Sequence, residues 1–331
     1  MSAVLGAAIV GAGAAARELH APAWAACEGV ELVGIASRRP DAAAAIASAY
    51  AGARAFASVD ALLEDEAVDI VTICTPPDTH RELAERAVAA GKHVLVEKPI
   101  AHTLEDTAAL RALAESAPTV VEVVRNERYM ALHRAAREAV AAGAIGSLTG
   151  GLLFTATTGP DDWTGGAAWP RQLARAGGGV LLDLGVHRLD LVGWLTERQI
   201  VAVTPTLRRA PGPLDGEVEW AGALSLMLEG GVPVSLVASW AGPPDAMLVL
   251  LGGSEGTLQA DGVTGSLTIA REGRVETSQH PLPWGPDDDS ALAMAAAFAA
   301  ACRGERQPES TGWDAATRWL LEAYRLAGAE P

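Results

Sequence analysis

Gly11-Ala12-Gly13-Ala14-Ala15-Ala16 directly follows a short apolar run, Leu5 to Val10, and opens a helix-forming stretch from about Ala14 to Cys27. A strand that turns on two glycines into a helix constrains this chain more than any other feature. Gly11 permits the tight turn, Gly13 keeps a Cβ out of the way of a group approaching the backbone, and Ala16 lets helix and strand pack closely. The first amides of such a helix have no partners within it, and the positive end of its dipole lies behind them, so they suit a phosphate. The spacing G-x-G-x-x-A is the alanine-ended dinucleotide fingerprint, and it expects a β-α-β layer around it.

The residues downstream continue that layer. Glu31 to Ala36, Val68 to Cys74, His93 to Val96 and Thr119 to Val124 read as strands, and Pro40 to Tyr50, Arg81 to Ala90 and Leu104 to Ala117 as helices between them. Continuously apolar strands separated by helices indicate a parallel sheet covered on both faces. After about residue 146 the rhythm changes to extended runs at Ser147 to Thr158, Ile200 to Leu207, Val218 to Leu228, Val232 to Trp240, Met247 to Leu251 and Thr264 to Ala270. Turns such as Glu229-Gly230-Gly231 and Gly242-Pro243-Pro244 join them. Helices are expected at about Gly179 to Leu195, Asp289 to Arg303 and Trp313 to Ala327. The fold class is therefore α/β: a doubly wound parallel Rossmann sheet over residues 1–124, then an α+β domain over 125–331 with a large, mostly antiparallel open sheet.

Charge narrows the partners. Lys and Arg number 25 against 41 Asp and Glu, a net charge of −16. So acidic a surface repels nucleic-acid phosphates and anionic lipid, and no apolar run reaches the roughly 20 residues of a spanning helix. The first positive charge is Arg17, which argues against a secretory leader. Cys27, Cys74 and Cys302 are scattered, without metal-ligand or disulfide spacing, and no metal is expected. A cytoplasmic protein acting on a small molecule is the expectation. Ser37-Arg38-Arg39 ends the second strand, where a site for NAD usually carries an acidic residue. A hydroxyl followed by two guanidinium groups suits a 2′-phosphate, which favours NADP(H) with NAD(H) as the alternative. The other reading of the two arginines is solvated surface charge.

Two further motifs carry chemistry. Glu97-Lys98-Pro99 stands at the carboxyl end of the His93 to Val96 strand, the edge at which an open α/β sheet presents its ligands. Gly177-Gly178-Gly179 opens a helix holding Asp183, His187, Asp190 and Trp194 on one face, with apolar residues at nearly every other position. Carboxylates and an imidazole on so apolar a helix need partners or a polar cleft. A satisfied core histidine with Asp183 as a helix-start cap is the plainer alternative. With the glycine turn, and with Thr75-Pro76-Pro77-Asp78-Thr79-His80 as a T-P-x-x-x-H loop, these motifs resemble the glucose–fructose oxidoreductase / inositol dehydrogenase / rhizopine-catabolism family of NAD(P)-dependent oxidoreductases.

The resemblance implies hydride transfer between a nicotinamide and a secondary alcohol or ketone of a sugar, nucleotide-sugar or cyclitol. It implies Lys98, Asp183 and His187 as the catalytic set. Lys98 would contact the reacting oxygen and the nicotinamide ribose, His187 would exchange the proton, and Asp183 would polarise His187 or bind a neighbouring hydroxyl. Gly11, Gly13, Ala14, Ala15, Ser37, Arg38, Arg39, Thr75, Pro76, His80, Glu97 and Lys98 form the expected cofactor set, with Glu97 orienting Lys98 or the ribose. The family also suggests a cis bond before Pro99. Arg128, Trp163 and Trp169 are expected beside Lys98, Asp183 and His187 at the substrate. Pro170 stands where the family commonly has Arg. Alternatives are reduction of a non-sugar carbonyl or imine, and a non-catalytic regulator sensing a dinucleotide. Alternating apolar positions in the second half, such as Val232-Val234-Leu236, lead us to expect a homodimer or homotetramer through that sheet.

Overall fold

The computed structural model describes residues 4–208, 216–241, 245–308, 312 and 314–329. The Gly242-Pro243-Pro244 turn and Trp313 lie outside them. The chain divides into two compact units: Met1–Val124, Trp163–Ala167 and Ala291–Asp314 form the first, and Arg125–Asp162, Ala168–Ser290 and Ala315–Pro331 the second.

In the first unit, β1 (Leu5–Val10), β2 (Val30–Ala36), β3 (Arg54–Phe56), β4 (Ile70–Ile73), β5 (His93–Val96) and β6 (Val121–Val123) form one parallel sheet in the order β3-β2-β1-β4-β5-β6. Ordering reverses between β1 and β4, the switch point at which such sheets place ligands. A π-type turn, Ala15–His20, runs into α1 (Ala21–Ala26), followed by α2 (Pro40–Ala47), α3 (Val59–Leu63), α4 (His80–Ala89) and α5 (Leu104–Ser116). Because helices cover the sheet, β4 is buried at every position, and Val10, Ile73, Val94 and Val96 share one core with Leu62 and Leu110. β3 and α3 escape a sequence reading. β3 is three residues long, with exposed positions Arg54 and Ala55, so it shows neither an apolar run nor alternation.

The second unit holds α6 (Ala131–Ala141), β7 (Leu148–Ala156) and the single-turn helix α8 (Leu173–Ala176), while the single-turn helix α7 (Asp161–Thr164) passes to the first unit at Trp163. A second π-type turn, Leu181–Gly185, leads into α9 (Val186–Thr196). Then come β8 (Ile200–Arg208), β9 (Ala221–Leu228), β10 (Val232–Ser239), β11 (Ala246–Gly253), β12 (Gly256–Asp261), β13 (Ser266–Arg271) and β14 (Arg274–Gln279). The eight strands run β14-β13-β12-β11-β7-β10-β9-β8, antiparallel except for β7 beside β10. Val234, Leu236, Leu224, Leu226, Leu153 and Val249 are buried on one face. On the other, Leu152 pairs with Leu250 and Phe154 with Leu248, all half-buried within the single chain.

Two long helices follow, α10 (Ser290–Cys302) and α11 (Ala315–Leu326). From Ala291, α10 belongs to the first unit: Phe298 meets Trp24 edge-on at 6.3 Å between ring centroids, and Arg306 grips the buried Glu122 with both oxygens at 3.0 and 3.1 Å. α6, β12 and β14 were not expected from the sequence. β14 is exposed at all six positions and so carries no apolar pattern to read.

Candidate active site

In the first unit, four of the expected segments leave the carboxyl ends of β1, β2, β4 and β5. The glycine turn is built as its residue types require. Gly11 has φ +110°, and a Cβ there would lie 2.4 Å from the Cys74 carbonyl oxygen, so only glycine fits. At Gly13 an added Cβ would meet nothing within 4 Å. That open space, beside the half-buried Ala14 and Ala15 at the start of the helical turn, fits the pyrophosphate of a dinucleotide. Ala16 is fully buried against the sheet.

Ser37 Oγ accepts from the Arg39 amide at 3.1 Å, and the Arg39 guanidinium donates to the Ala12 carbonyl at 3.0 Å. Both arginines are exposed, and Arg39 braces the glycine turn. The two adjacent arginines do different things, which their sequence neighbourhood does not foretell.

The Thr75–His80 loop is closed by its own side chains. Thr75 and Thr79 hydroxyls are 2.7 Å apart, and Thr79 donates to the Pro76 carbonyl at 2.8 Å. His80 is fully buried, with Nε2 2.7 Å from the Thr75 carbonyl and Nδ1 3.1 Å from that of Ile100. Burial holds its imidazole below the usual range, although both carbonyls and Glu97 favour the charged form. Both ring nitrogens face carbonyl oxygens. His80 thus ties the loop to the segment after Pro99 and presents no surface of its own.

Glu97 is buried, 8% exposed. Its Oε1 meets His20 Nε2 at 2.7 Å, and Oε2 accepts the Lys98 amide at 2.9 Å. Burial pushes this carboxyl up, but the His20 hydrogen bond and charge and the nearby Lys98 ammonium leave it below its ordinary value. His20, on the π-type turn after the glycines, therefore links the fingerprint helix to Lys98; no sequence signal singled it out. The Lys98–Pro99 peptide is cis, as the resemblance suggested. Lys98 is half-buried, with Nζ 5.8 Å from the centroid of the Trp163 ring.

In the second unit the glycine triplet is packed by the chain itself. Gly177 ends α8 in the left-handed region. A Cβ on Gly178 would strike the Tyr324 ring at 2.4 Å, and one on Gly179 the Glu219 carbonyl oxygen at 1.9 Å. Glu219, 1% exposed, accepts from the amides of Gly179 at 2.9 Å and Leu181 at 3.0 Å and from the Tyr324 hydroxyl at 2.6 Å. A carboxylate from the approach to β9 thereby caps the start of the motif helix. Burial raises its carboxyl above the ordinary value despite these donors, and burial beside Glu219 raises the Tyr324 phenol. Asp183 is not that cap. Its amide donates to the Gly179 carbonyl inside the turn, and its Oδ2 accepts from Trp240 Nε1 at 3.1 Å.

His187 is half-buried, with Nδ1 3.8 Å from Glu127 Oε1. Arg128 binds Asp190 through two short contacts, 2.7 and 2.6 Å, so the structure gives it a carboxylate partner on α9. Trp169 is half-buried in the turn Trp169–Arg171 of the second unit, whereas Trp163 belongs to the first. Glu127, Glu219, Tyr324 and Trp240 support the expected residues but lie in no motif. Among the described residues, no group of three His, Cys, Asp or Glu side chains could hold a metal ion, and no helix is long and apolar enough to cross a membrane.

Comparison with known proteins finds matches for both halves of the chain. The family model described as "Oxidoreductase family, NAD-binding Rossmann fold" matches residues 5–124, and the GFO/IDH/MocA C-terminal domain matches residues 133–259. A 1,5-anhydro-D-fructose reductase of Ensifer adhaerens is 31% identical over 311 residues, covering 92% of this chain and 90% of that protein. A dTDP-3,4-didehydro-2,6-dideoxy-alpha-D-glucose 3-reductase of Streptomyces violaceoruber is 35% identical over 324 residues, with 92% and 90% covered. Among solved structures, GenD2 from gentamicin A biosynthesis, in complex with NAD, has a TM-score of 0.85 at 29% identity, covering 99% of this chain and 95% of its own.

Proposed function

The chain belongs to the GFO/IDH/MocA family of oxidoreductases, and from that membership we propose that it interconverts a secondary alcohol and a ketone on a sugar, nucleotide-sugar or cyclitol. The observation that carries this reading is a pair of relatives named as reductases of sugar-derived ketones, each matched over nine-tenths of both chains. A nicotinamide dinucleotide, when bound, supplies or accepts the hydride. Gly11, Gly13, Ala14 and Ala15 would hold its pyrophosphate, with Thr75, Pro76 and Glu97 lining the same sheet edge and His80 shaping it.

The chain's own residues handle charge and proton. The Lys98 ammonium stabilises negative charge on the reacting oxygen, and Glu97, held by His20, fixes the Lys98 backbone. His187 gives that oxygen its proton in reduction and takes it in oxidation, a role suited to an imidazole near neutral pH. Asp183 binds a neighbouring hydroxyl or polarises His187. Trp163, Trp169 and Arg128 border the substrate, the aromatic rings offering flat faces to a sugar ring. We assign the dinucleotide to the first unit and the substrate to the second. The sheet face bearing Leu152, Phe154, Leu248 and Leu250 would bury itself against another subunit, and the cytoplasm is the proposed location.

NADP(H) is the proposed cofactor. Arg38 is exposed and would pair with the 2′-phosphate, while Arg39 braces the Ala12 carbonyl. The test is turnover of keto- and hydroxy-sugars, nucleotide-sugars and cyclitols with each cofactor, followed by nicotinamide absorbance. We expect turnover with NADPH, a fall of roughly 10²- to 10⁴-fold in kcat for Lys98→Met or His187→Gln, and a loss of about tenfold or more in NADPH affinity, but not NADH affinity, for Arg38→Ala. No turnover across the panel with either cofactor refutes the activity, and unchanged NADPH binding in Arg38→Ala refutes the cofactor assignment.

A further inference from the structure

Glu127 lies in the helical turn Asn126–Tyr129 and is 5% exposed. A carboxylate so buried needs compensation. Its two oxygens address consecutive residues of α9. Oε2 accepts from the Arg188 guanidinium, and Oε1 stands 3.8 Å from His187 Nδ1. Arg188 is itself 1% exposed, and its Nε and Nη1 have no hydrogen-bond partner among the described residues. Burial pulls this guanidinium down to about 10. The two buried groups compensate one another as an ion pair.

The turn is held in place from two further sides. The Glu127 carbonyl accepts from the buried His133 Nδ1 at 2.8 Å, and Arg128 is gripped by Asp190. Glu127 therefore has little room to swing away from α9. Proton-transfer sites are often longer than hydrogen-bond distance before ligand binds, and 3.8 Å is within a small side-chain rotation of contact.

We propose that Glu127 is the positioning residue for His187: its carboxylate accepts the Nδ1 proton, so the neutral imidazole keeps Nε2 bare as the nitrogen that exchanges a proton. The role rests on the reading of His187 as the proton-exchanging group. Arg188 fixes the anion that does the positioning. The logic is that of a base held in one tautomer by a carboxylate behind it.

Ring ¹⁵N shifts of the histidine-labelled full-length protein, recorded above the imidazole titration, report the tautomer of His187, with His187→Gln identifying its signals. Imidazole in water favours hydrogen on Nε2, and Glu127 is expected to reverse that to Nδ1. Swapping the whole buried pair, Glu127→Leu with Arg188→Met, avoids stranding a charge and is expected to restore the Nε2–H form. In the swap, kcat falls by about tenfold or more while the KM for dinucleotide stays within about twofold. An Nε2–H tautomer in the unmodified protein, or Nδ1–H persisting in the swap, overturns the proposal. Should the swapped protein fail to fold, the tautomer of the unmodified protein decides alone. The tautomer is read without substrate, so absent turnover would count against the function proposed for His187 and not against its hydrogen bond to Glu127.

Discussion

The two glycine-rich segments use the same residue for opposite ends. Around Gly13 the missing Cβ leaves open space, which is where the proposed function puts the pyrophosphate. Around Gly178 and Gly179 the missing Cβ atoms admit the Tyr324 ring and the Glu219 backbone, so that segment is shaped for the chain itself. One glycine cluster leaves its Cβ position open, and the other is a packing joint at the start of the helix that carries Asp183 and His187. Both are followed by a π-type turn, Ala15–His20 and Leu181–Gly185, a local widening frequent at functional sites. A short glycine motif therefore does not reveal its purpose until its surroundings are known.

Gly179→Ala should break this contrast most sharply if it is wrong. A methyl 1.9 Å from a backbone oxygen cannot be relieved by a side-chain shift, and we expect a loss of about 3 kcal/mol or more in a urea or thermal unfolding curve. A variant with unaltered stability would mean that the joint is loose.

The second unit also closes over ionisable groups, and His133 measures how tightly. Burial lowers its imidazole from 6.5 to about 4, with Asp288 opposing weakly. Between those values the unfolded chain binds more protons than the folded one. The contribution is present above about pH 6.5 and is lost as pH falls toward 4, amounting to roughly 3 kcal/mol. His133→Gln should flatten this part of the stability–pH curve. If the slope persists in the variant, the acid sensitivity belongs elsewhere.

Tyr324→Phe removes the hydroxyl that donates to Glu219 and sits 3.2 Å from the Gly179 amide. Loss of a hydrogen bond to a buried carboxylate should destabilise by about 1.5–3 kcal/mol, and urea midpoints would register it. Gly13→Ala completes the comparison from the other side. Its methyl enters empty space, so stability should move by less than about 0.5 kcal/mol. Dinucleotide affinity should fall about tenfold or more, the effect of ~1–3 kcal/mol of overpacking in the bound state. Unfolding curves and calorimetric titration separate the two effects, and a Gly13→Ala protein with native affinity would mean that the space is not a ligand's.

Much of the fold was legible from local pattern. β1 spans the residues its apolar run marked, and β2, β5, α4 and α5 lie within a residue of their expected bounds, because burial on both faces or on one helical stripe writes a periodic signal; α9 begins at Val186, behind a π-type turn, rather than at the expected Gly179. β3 and β14 were not, since so short or so exposed an element carries no such signal; α6 and β12 carry an amphipathic pattern that the sequence reading passed over. The candidate residues Lys98, Asp183 and His187 were legible through motifs. Their supports were not: nothing near Glu127, Glu219 or His20 marks them.

From the sequence alone follow the alternating α/β half, the sheet-rich half after it and the glycine turn between β1 and its helix, all consequences of backbone preferences over a few consecutive residues. Tertiary structure alone decided which polar groups meet: Glu219 with Gly179 across 40 residues, Tyr324 with Glu219 across 105, Arg188 with Glu127 across 61. Such pairs form because a buried charge is costly without a partner, and that demand does not say from how far along the chain the partner must come.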